Sequence, residues 1–242
     1  IPMDQTMGNI GKLYLIPTTL GDNEPLEVLP ISIKRTIEQI DHYIVENEKT
    51  ARHFIKKISS KKSQPSLHIN VLNKFTEPEI LPTFLDPCFE GYNVGIISEA
   101  GCPGIADPGA DIVSIAHQKG VQVVPLVGPS SILLALMASG LNGQSFAFNG
   151  YLPIEAGERK KSIKRFEKLS RDFDQSQIFI ETPYRNDKLL AELIKTLSPQ
   201  TLVCIACDIT LPTEFIATKK VMDWQRMSVD LHKRPTIFII HA

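Results

Sequence analysis

The stretch Ser98-Glu99-Ala100-Gly101-Cys102-Pro103-Gly104-Ile105-Ala106-Asp107-Pro108-Gly109 packs three glycines and two prolines into one short segment. Glycine lets a ligand approach the main chain and proline fixes the chain's path. Two readings fit: a ligand loop, or a strand-to-helix turn with Asp107 as N-cap and Pro108 opening the helix. Val127-Gly128-Pro129-Ser130-Ser131 poses the same choice, since its hydroxyls and amides either cap a helix or hold a polar ligand. Cys204 and Cys207 form a C-x-x-C inside TLVCIAC, an apolar run that reads as a strand. Positions three apart on a strand face opposite sides, so these are expected to be core thiols, with no metal. A basic segment, Glu158 to Arg171, carries Arg159, Lys160, Lys161, Lys164, Arg165, Lys168 and Arg171. With Ile163, Phe166 and Leu169 turned to a core, these cations are expected to project outward, as a solvated face or as phosphate contacts. Lys56, Lys57, Lys61 and Lys62 form a second patch with the same two readings.

These residues need elements to position them. Strands are expected at Leu13 to Ile16, His42 to Glu46, Ser66 to Val71, Asn93 to Ser98 and Val121 to Leu126. Helical spacing falls between them: Ile33, Ile37 and Ile40; then Ala51, Phe54, Ile55 and Ile58, with Asn47 as cap. Thr76 with Glu79 reads as a capping box opening a helix through Cys88, and Pro108 opens one that Gly120 closes. Alternating strands and helices predict a mostly parallel five-stranded sheet with its ligand loops at the carboxyl ends of the strands. After a helix from Ser131 to Ala138, ended by Gly140, come strand Ser145 to Asn149, the basic helix, strand Gln177 to Glu181 and helix Asn186 to Leu197. Strands Leu202 to Cys207, Glu214 to Thr218 and Thr236 to His241 follow, the first two too close for a parallel crossover. The expectation is an α/β protein of two domains, 1–126 with the parallel sheet and 127–242 with a mixed sheet.

Composition narrows the function. Twenty-six Lys+Arg against 27 Asp+Glu leave a net charge of -1, so any nucleic-acid contact must be a local patch. Four cysteines in 242 residues are too few for a disulfide scaffold. No apolar run reaches the ~18 residues of a spanning helix, and IPMDQTMGNI lacks a basic-then-apolar leader, so a cytoplasmic protein without membrane contact is expected. There is no G-x-x-x-x-G-K-[ST], no G-x-G-x-x-G after the first strand and no G-x-S-x-G. Kinases, common dehydrogenases, α/β-hydrolases and the Rossmann-like methyltransferases all lose weight.

In order along the chain, L-Y-L-I-P-T-T-L-G-D, S-E-A-G-C-P-G-I-A-D-P-G, V-V-P-L-V-G-P-S-S, F-N-G-Y-L-P and E-T-P-Y-R resemble the tetrapyrrole methylase superfamily. Within it the match is to the ribosomal RNA small-subunit methyltransferase I branch, which methylates a ribose 2′-oxygen. The resemblance runs from Leu13 to Ile240 and implies an S-adenosylmethionine-dependent methyltransferase with two α/β domains, the cofactor in the cleft between them, and a homodimer. It implies cofactor contacts from Ser98, Glu99, Ala100, Gly101 and Ile105, from Ser130 and Ser131, and from Glu181, Arg185 and Pro235. Pro17 and the loop after it would face the substrate, and Lys160, Lys161, Lys164 and Arg165 would meet RNA of the small ribosomal subunit. Glu181 and Arg185 also read as an ion pair within their domain, and Pro235 as a plain strand start.

The chain departs from the branch at places. Ser98-Glu99-Ala100-Gly101-Cys102-Pro103 stands where the branch has S-D-A-G-T-P, keeping the glycine and proline. Glu46-Asn47-Glu48-Lys49 replaces an E-D-T-R run, and Val71-Leu72-Asn73-Lys74 a segment rich in His and Asn, both on the substrate side. Methyl transfer needs acceptor, methyl and sulfur held in line, and a weakly nucleophilic hydroxyl gains from a base. Glu46 and Glu99 are the strand-end carboxylates available, either as that base or as ordinary loop acids. Two other functions compete: a methylase of a tetrapyrrole or other small acceptor, and a non-catalytic cofactor-binding module.

Overall fold

The apolar runs at Val94–Ile97 and Leu202–Cys207, too short for helices, become buried strands in the computed structural model, which describes residues 8–242. Residues 1–7, which begin IPMDQTMGNI, lie outside the described residues. The chain divides into two units, one ending at Pro129 and the other Ser130–Ala242.

In the first unit, β1 (Leu13–Ile16), β2 (His42–Val45), β3 (His68–Val71), β4 (Val94–Ile97) and β5 (Val123–Pro125) form an all-parallel sheet in the order β3-β2-β4-β1-β5. A parallel sheet is covered on both faces, and alternating side chains divide accordingly. Ile16, Tyr43, Val45 and Ile97 pack on one face, beneath α2 (Ile31–Gln39), which follows the short α1 (Pro25–Val28), and α3 (Glu48–Ile58). Leu13, Ile44, Val94 and Ile96 pack on the other, under Leu81, Phe84 and Leu85, the short α4 (Asp86–Phe89), and α5 (Gly109–Lys119).

This topology selects one end of the sheet. β1 and β2 both run on into helices of the first face, while β4, hydrogen-bonded between them, runs into α5 on the opposite face. Where neighbouring parallel strands send their chains to opposite sides, a crevice opens beyond their carboxyl ends. The loop Ser98 to Pro108 leaves β4 at that point.

Sequence signals set the helix ends. Asn47 Oδ1 accepts the Thr50 N–H at 3.1 Å to start α3, and Gly120, at φ 73°, closes α5 in the left-handed region. The helix expected from Thr76 to Cys88 is different: Pro78–Leu85 is a 3₁₀ run, and only Asp86–Phe89 is α-helical. Pro82 sits inside that run and has no N–H for an α-helical hydrogen bond, which overrides the capping-box pattern. The Thr76 hydroxyl instead donates to the Val71 carbonyl at 3.0 Å and accepts the Asn73 N–H at 2.9 Å.

The second unit has a mixed sheet, β6-β7-β10-β8-β9, made of β6 (Phe146–Tyr151), β7 (Ser176–Ile180), β8 (Leu202–Cys207), β9 (Phe215–Lys220) and β10 (Thr236–His241). Only β6 and β7 pair in parallel; β8 and β9, close in sequence, are antiparallel. Phe179, Val203, Ile205, Cys207, Phe238 and Ile240 face α7 (Ala156–Phe173), α8 (Asn186–Thr196) and the short α9 (Val221–Trp224). Cys204 and Ala206 point to the other face, beside α6 (Ser131–Ser139). Cys204 and Cys207 are therefore buried on opposite faces of β8, and burial pushes both thiols up from their ordinary range. Among the described residues no helix is long and apolar enough to cross a membrane.

Candidate active site

At the end of β4 the chain turns back on itself. The buried Ser98 hydroxyl donates to the Gly101 carbonyl, and the Thr18 N–H just after β1 donates to the same carbonyl at 3.0 Å. Asp107 Oδ1 accepts the N–H groups of Gly104, at 2.6 Å, and Gly109, at 2.9 Å. That carboxylate caps the first turn of α5 from one residue further out than expected, with Pro108 in the cap position. Gly101 and Gly104 take φ values of 68° and 81°, and Ala106 follows at 56°.

The two glycines differ. A Cβ on Gly101 would lie 3.1 Å from Leu20 and from the Pro129 carbonyl, so this buried glycine serves the loop's own path rather than leaving space for a ligand. Gly104 has nothing within 4 Å of its Cβ position. What the loop offers outward is Glu99, Ala100, Ile105 and Ala106, with Ile105 55% exposed. Pro17 is buried, its ring against Gly128 where any Cβ would overlap it, so it sets the path of the Thr18 to Asp22 loop.

The sheet order brings three acids together. β2 lies next to β4, so Glu46, just past β2, meets the electrostatic field of Glu99 and Asp107 from the β4 loop. Burial pushes the Glu46 carboxyl above the usual carboxylate range, and the charges of Asp107 and then Glu99 push the same way; the Glu99 backbone amide pulls back. Glu99 accepts the Thr50 hydroxyl at 2.7 Å. Among the described residues none of the three acids is in an ion pair. Asp107 was read from sequence only as a helix cap, because its approach to Glu46 depends on strand order.

Two hollows open beside these acids. One, about 160 Å³, is lined by Thr18, Asn23, Thr50, Lys57, Ser98 and Glu99. A broader groove of about 1020 Å³ runs past Glu46, Leu72, Phe75, Thr76, Pro108 and Asp111.

In the second unit the named residues are tied to their own surroundings. Ser130 Oγ accepts the Leu133 N–H at 3.4 Å and caps α6, of which Ser131 is the first residue. Arg185 pairs with Glu181 at 3.2 Å and donates to the Thr182 hydroxyl at 3.1 Å, while Glu181 Oε1 accepts the Thr182 N–H at 2.6 Å. Pro235 is exposed just before β10, and its carbonyl accepts the Asp208 N–H at 3.0 Å.

The basic helix α7 splits its cations. Lys160, Lys161, Lys164 and Arg165 are exposed, and Ile163 and Phe166 are buried. Arg159 is not outward: its side chain is 6% exposed, held by Glu192 and by the carbonyls of Pro153 and Ile154. Lys161 pairs with Glu158, whereas Lys160 and Lys164 have no ion-pair partner among the described residues. In the second patch Lys57 is paired with Asp22 and Glu24 and Lys62 with Asp41, which leaves Lys56 and Lys61 outward.

Known proteins share this chain's pattern. The profile described as Tetrapyrrole (Corrin/Porphyrin) Methylases matches residues 12–223. A ribosomal RNA small subunit methyltransferase I of Vibrio cholerae serotype O1 is 28% identical over 95% of this chain and 77% of its own length. One of Streptococcus pyogenes serotype M6 is 29% identical over 81% of this chain, which spans 64% of that relative. Among solved structures, the methyltransferase CobJ aligns with TM-score 0.62 at 17% identity, covering 96% of this chain and 94% of its own. A cobalt precorrin-4 methyltransferase, CbiF, aligns with TM-score 0.60 at 18% identity over 95% and 94%. At such identities the likeness is one of fold.

Proposed function

The chain belongs to the tetrapyrrole (corrin/porphyrin) methylase family and is a methyltransferase, and on that premise we propose that it moves a methyl group from S-adenosylmethionine to a ribose 2′-oxygen of small-subunit ribosomal RNA. The observation carrying the acceptor is the match of 95% of the chain to a relative named for that RNA subunit.

The loop after β4 suits the donor. It offers an exposed carboxylate, Glu99, for hydroxyl or cationic groups and an exposed aliphatic side chain, Ile105, for an aromatic ring, on a backbone pinned by Ser98 and Asp107. When bound, S-adenosylmethionine supplies a methyl already activated on sulfonium, so the protein's task is alignment and proton removal. The two carboxylates are assigned different parts. Glu46 holds a proton more tightly than an ordinary glutamate, which makes it a stronger base than one, and it is assigned to take the hydroxyl proton on its side-chain oxygen. Glu99, which already accepts the Thr50 hydroxyl, positions its loop and faces the donor. Ser98, Ala100 and Gly101 shape that loop. Ser130, Ser131, Glu181, Arg185 and Pro235 enter the proposal as the second unit's part, and Pro17 as the support of the substrate loop. Lys160, Lys161, Lys164 and Arg165 are assigned to RNA phosphates.

Incubation of the protein with methyl-labelled S-adenosylmethionine and either small ribosomal subunits, free ribosomal RNA or a small-molecule extract tests this. Alkali-stable label at a ribose of the RNA is the expected result. Label that enters only small molecules replaces the acceptor, and no donor binding by calorimetry removes the activity. The same reading carries the homodimer, which a monomer in sedimentation at micromolar concentration would remove.

A further inference from the structure

Phe75 stands at the groove beyond β3, 78% exposed, in a loop that is otherwise fixed. Asn73 Oδ1 accepts the Phe75 N–H at 2.9 Å, the Thr76 N–H donates to the Asn73 carbonyl at 3.0 Å, and the Thr76 hydroxyl ties the loop to Asn73 and Val71. These bonds set the backbone on both sides of an aromatic ring that packs in none of the apolar clusters. The Lys74 ammonium lies over the ring, 4.9 Å from its centroid. A largely exposed aromatic ring with a cation over one face, at the edge of a groove of about 1020 Å³, matches a nucleotide's two recognition features, a flat base and a charged phosphate. The groove continues to Glu46, just past β2, and to Pro108, at the start of α5, so the ring stands at the same end of the sheet as the strand-end acids.

We propose that Phe75 is a stacking platform for an unpaired nucleobase of the RNA acceptor, with Lys74 meeting the adjoining phosphate. This rests on the RNA reading above. Bases inside a duplex have no free face to stack, so the platform selects single-stranded or splayed-out nucleotides near the methylated ribose. The aliphatic groove wall at Leu72 and Leu81 continues the surface on which that base rests.

The test compares the whole chain with Phe75→Ala, Phe75→Leu and Phe75→Trp, using a single-stranded RNA that carries 2-aminopurine and the same sequence as a duplex. Phe75→Ala and Phe75→Leu should each weaken single-strand binding about tenfold and abolish the 2-aminopurine quenching. Phe75→Trp should keep the affinity and show its own fluorescence quenched on binding, since Trp224, the chain's other tryptophan in that variant, is buried. Duplex affinity, S-adenosylmethionine affinity and melting temperature should be the same in all four. If the parent binds and methylates RNA but Phe75→Ala binds single strands equally well, the platform is wrong and the RNA reading stands. If Phe75→Leu keeps full affinity, the site is merely apolar and stacking is wrong. If the parent neither binds nor methylates RNA, the RNA reading fails and the platform fails with it.

Discussion

Two groups of acids, one in each unit, are handled in opposite ways. In the second, Glu192 is held by Arg159, Asp208 by Arg234 at 2.8 Å and Glu181 by Arg185, and Glu167 accepts the Ser198 N–H at 2.8 Å and the Thr201 hydroxyl at 2.8 Å. In the first, Glu46, Glu99 and Asp107 gather at the strand ends with one another's charges and no cation paired to them among the described residues. A neutralised acid is a structural tie, and its pKa falls, as that of Glu192 does through its hydrogen bonds to Arg159. Asp107 is still tied by the Gly104 and Gly109 amides, whereas the charges around Glu46 work against its ionised form, and an acid so held at a topological switch point is what a ligand or reaction would explain.

The largest expected effect is on the tied side. Arg159→Met removes a buried guanidinium and leaves Glu192 and two carbonyls without their donors. Breaking such a pair from one side should cost about 3 kcal/mol, read as a lowered denaturant midpoint. A loss below about 0.5 kcal/mol would put this pair with ordinary surface bridges and weaken the contrast.

The two loop glycines sharpen it next. Gly101→Ala puts a Cβ at a left-handed residue and against the Pro129 carbonyl, so a loss of about 2 kcal/mol is expected, together with slower methyl transfer as the loop shifts. Gly104→Ala meets only the backbone penalty, about 1 kcal/mol, because nothing lies near its Cβ. Equal losses in the two would show that loop packing does not distinguish them.

Glu46→Gln should move stability the other way. The folded state raises this carboxyl's pKa, so it holds the proton more tightly than the unfolded chain does. The stability it lends is complete below the ordinary carboxylate range and is lost as pH rises through the raised value. A side chain that cannot ionise avoids that loss, so the variant should be slightly more stable than the parent at pH 7 and equal to it near about pH 4. Methyl transfer by the parent should fall as pH drops through the same window, and Glu46→Gln should abolish that limb. A destabilised Glu46→Gln at pH 7 would mean that the carboxylate is structurally needed.

What the sequence made legible were local features and patterns. Asn47 and Ser130 as caps, Gly120 and Gly140 as helix ends and the alternation on TLVCIAC are all decided within a few residues. What it hid depends on distant partners. The spacing of cations on α7 does not reveal that Arg159 turns inward, because Glu192 lies 33 residues on, on α8. The meeting of Glu46 with Asp107 requires β4 to insert beside β2, an order no local pattern encodes. The 3₁₀ run at Pro78–Leu85 was legible in principle, since Pro82 stood against the capping-box reading. For Phe75 the available signal was a lone aromatic in the polar stretch Asn73-Lys74-Phe75-Thr76-Glu77.

The smallest effect on the fold belongs to the exposed cations of α7, which is why they separate recognition from stability. Lys160 and Lys164 are exposed and unpaired among the described residues, so replacing both with alanine should leave stability within about 0.5 kcal/mol. If they meet phosphates, each contact releases condensed counterions, and RNA affinity falls steeply as salt rises. Removing two should flatten that slope by about one to two units and weaken binding evenly across sequences, since phosphate contacts position RNA without reading it. Donor affinity should not change, because the reading gives these lysines no part in holding S-adenosylmethionine. The contrast with Arg159 on the same helix is the control: Arg159→Met should unfold the protein more readily, while Lys160→Ala with Lys164→Ala should change only the salt dependence of RNA binding. A double variant whose RNA binding and methylation match the parent at every salt concentration would leave this face solvated, and the acceptor would then be better sought among small molecules.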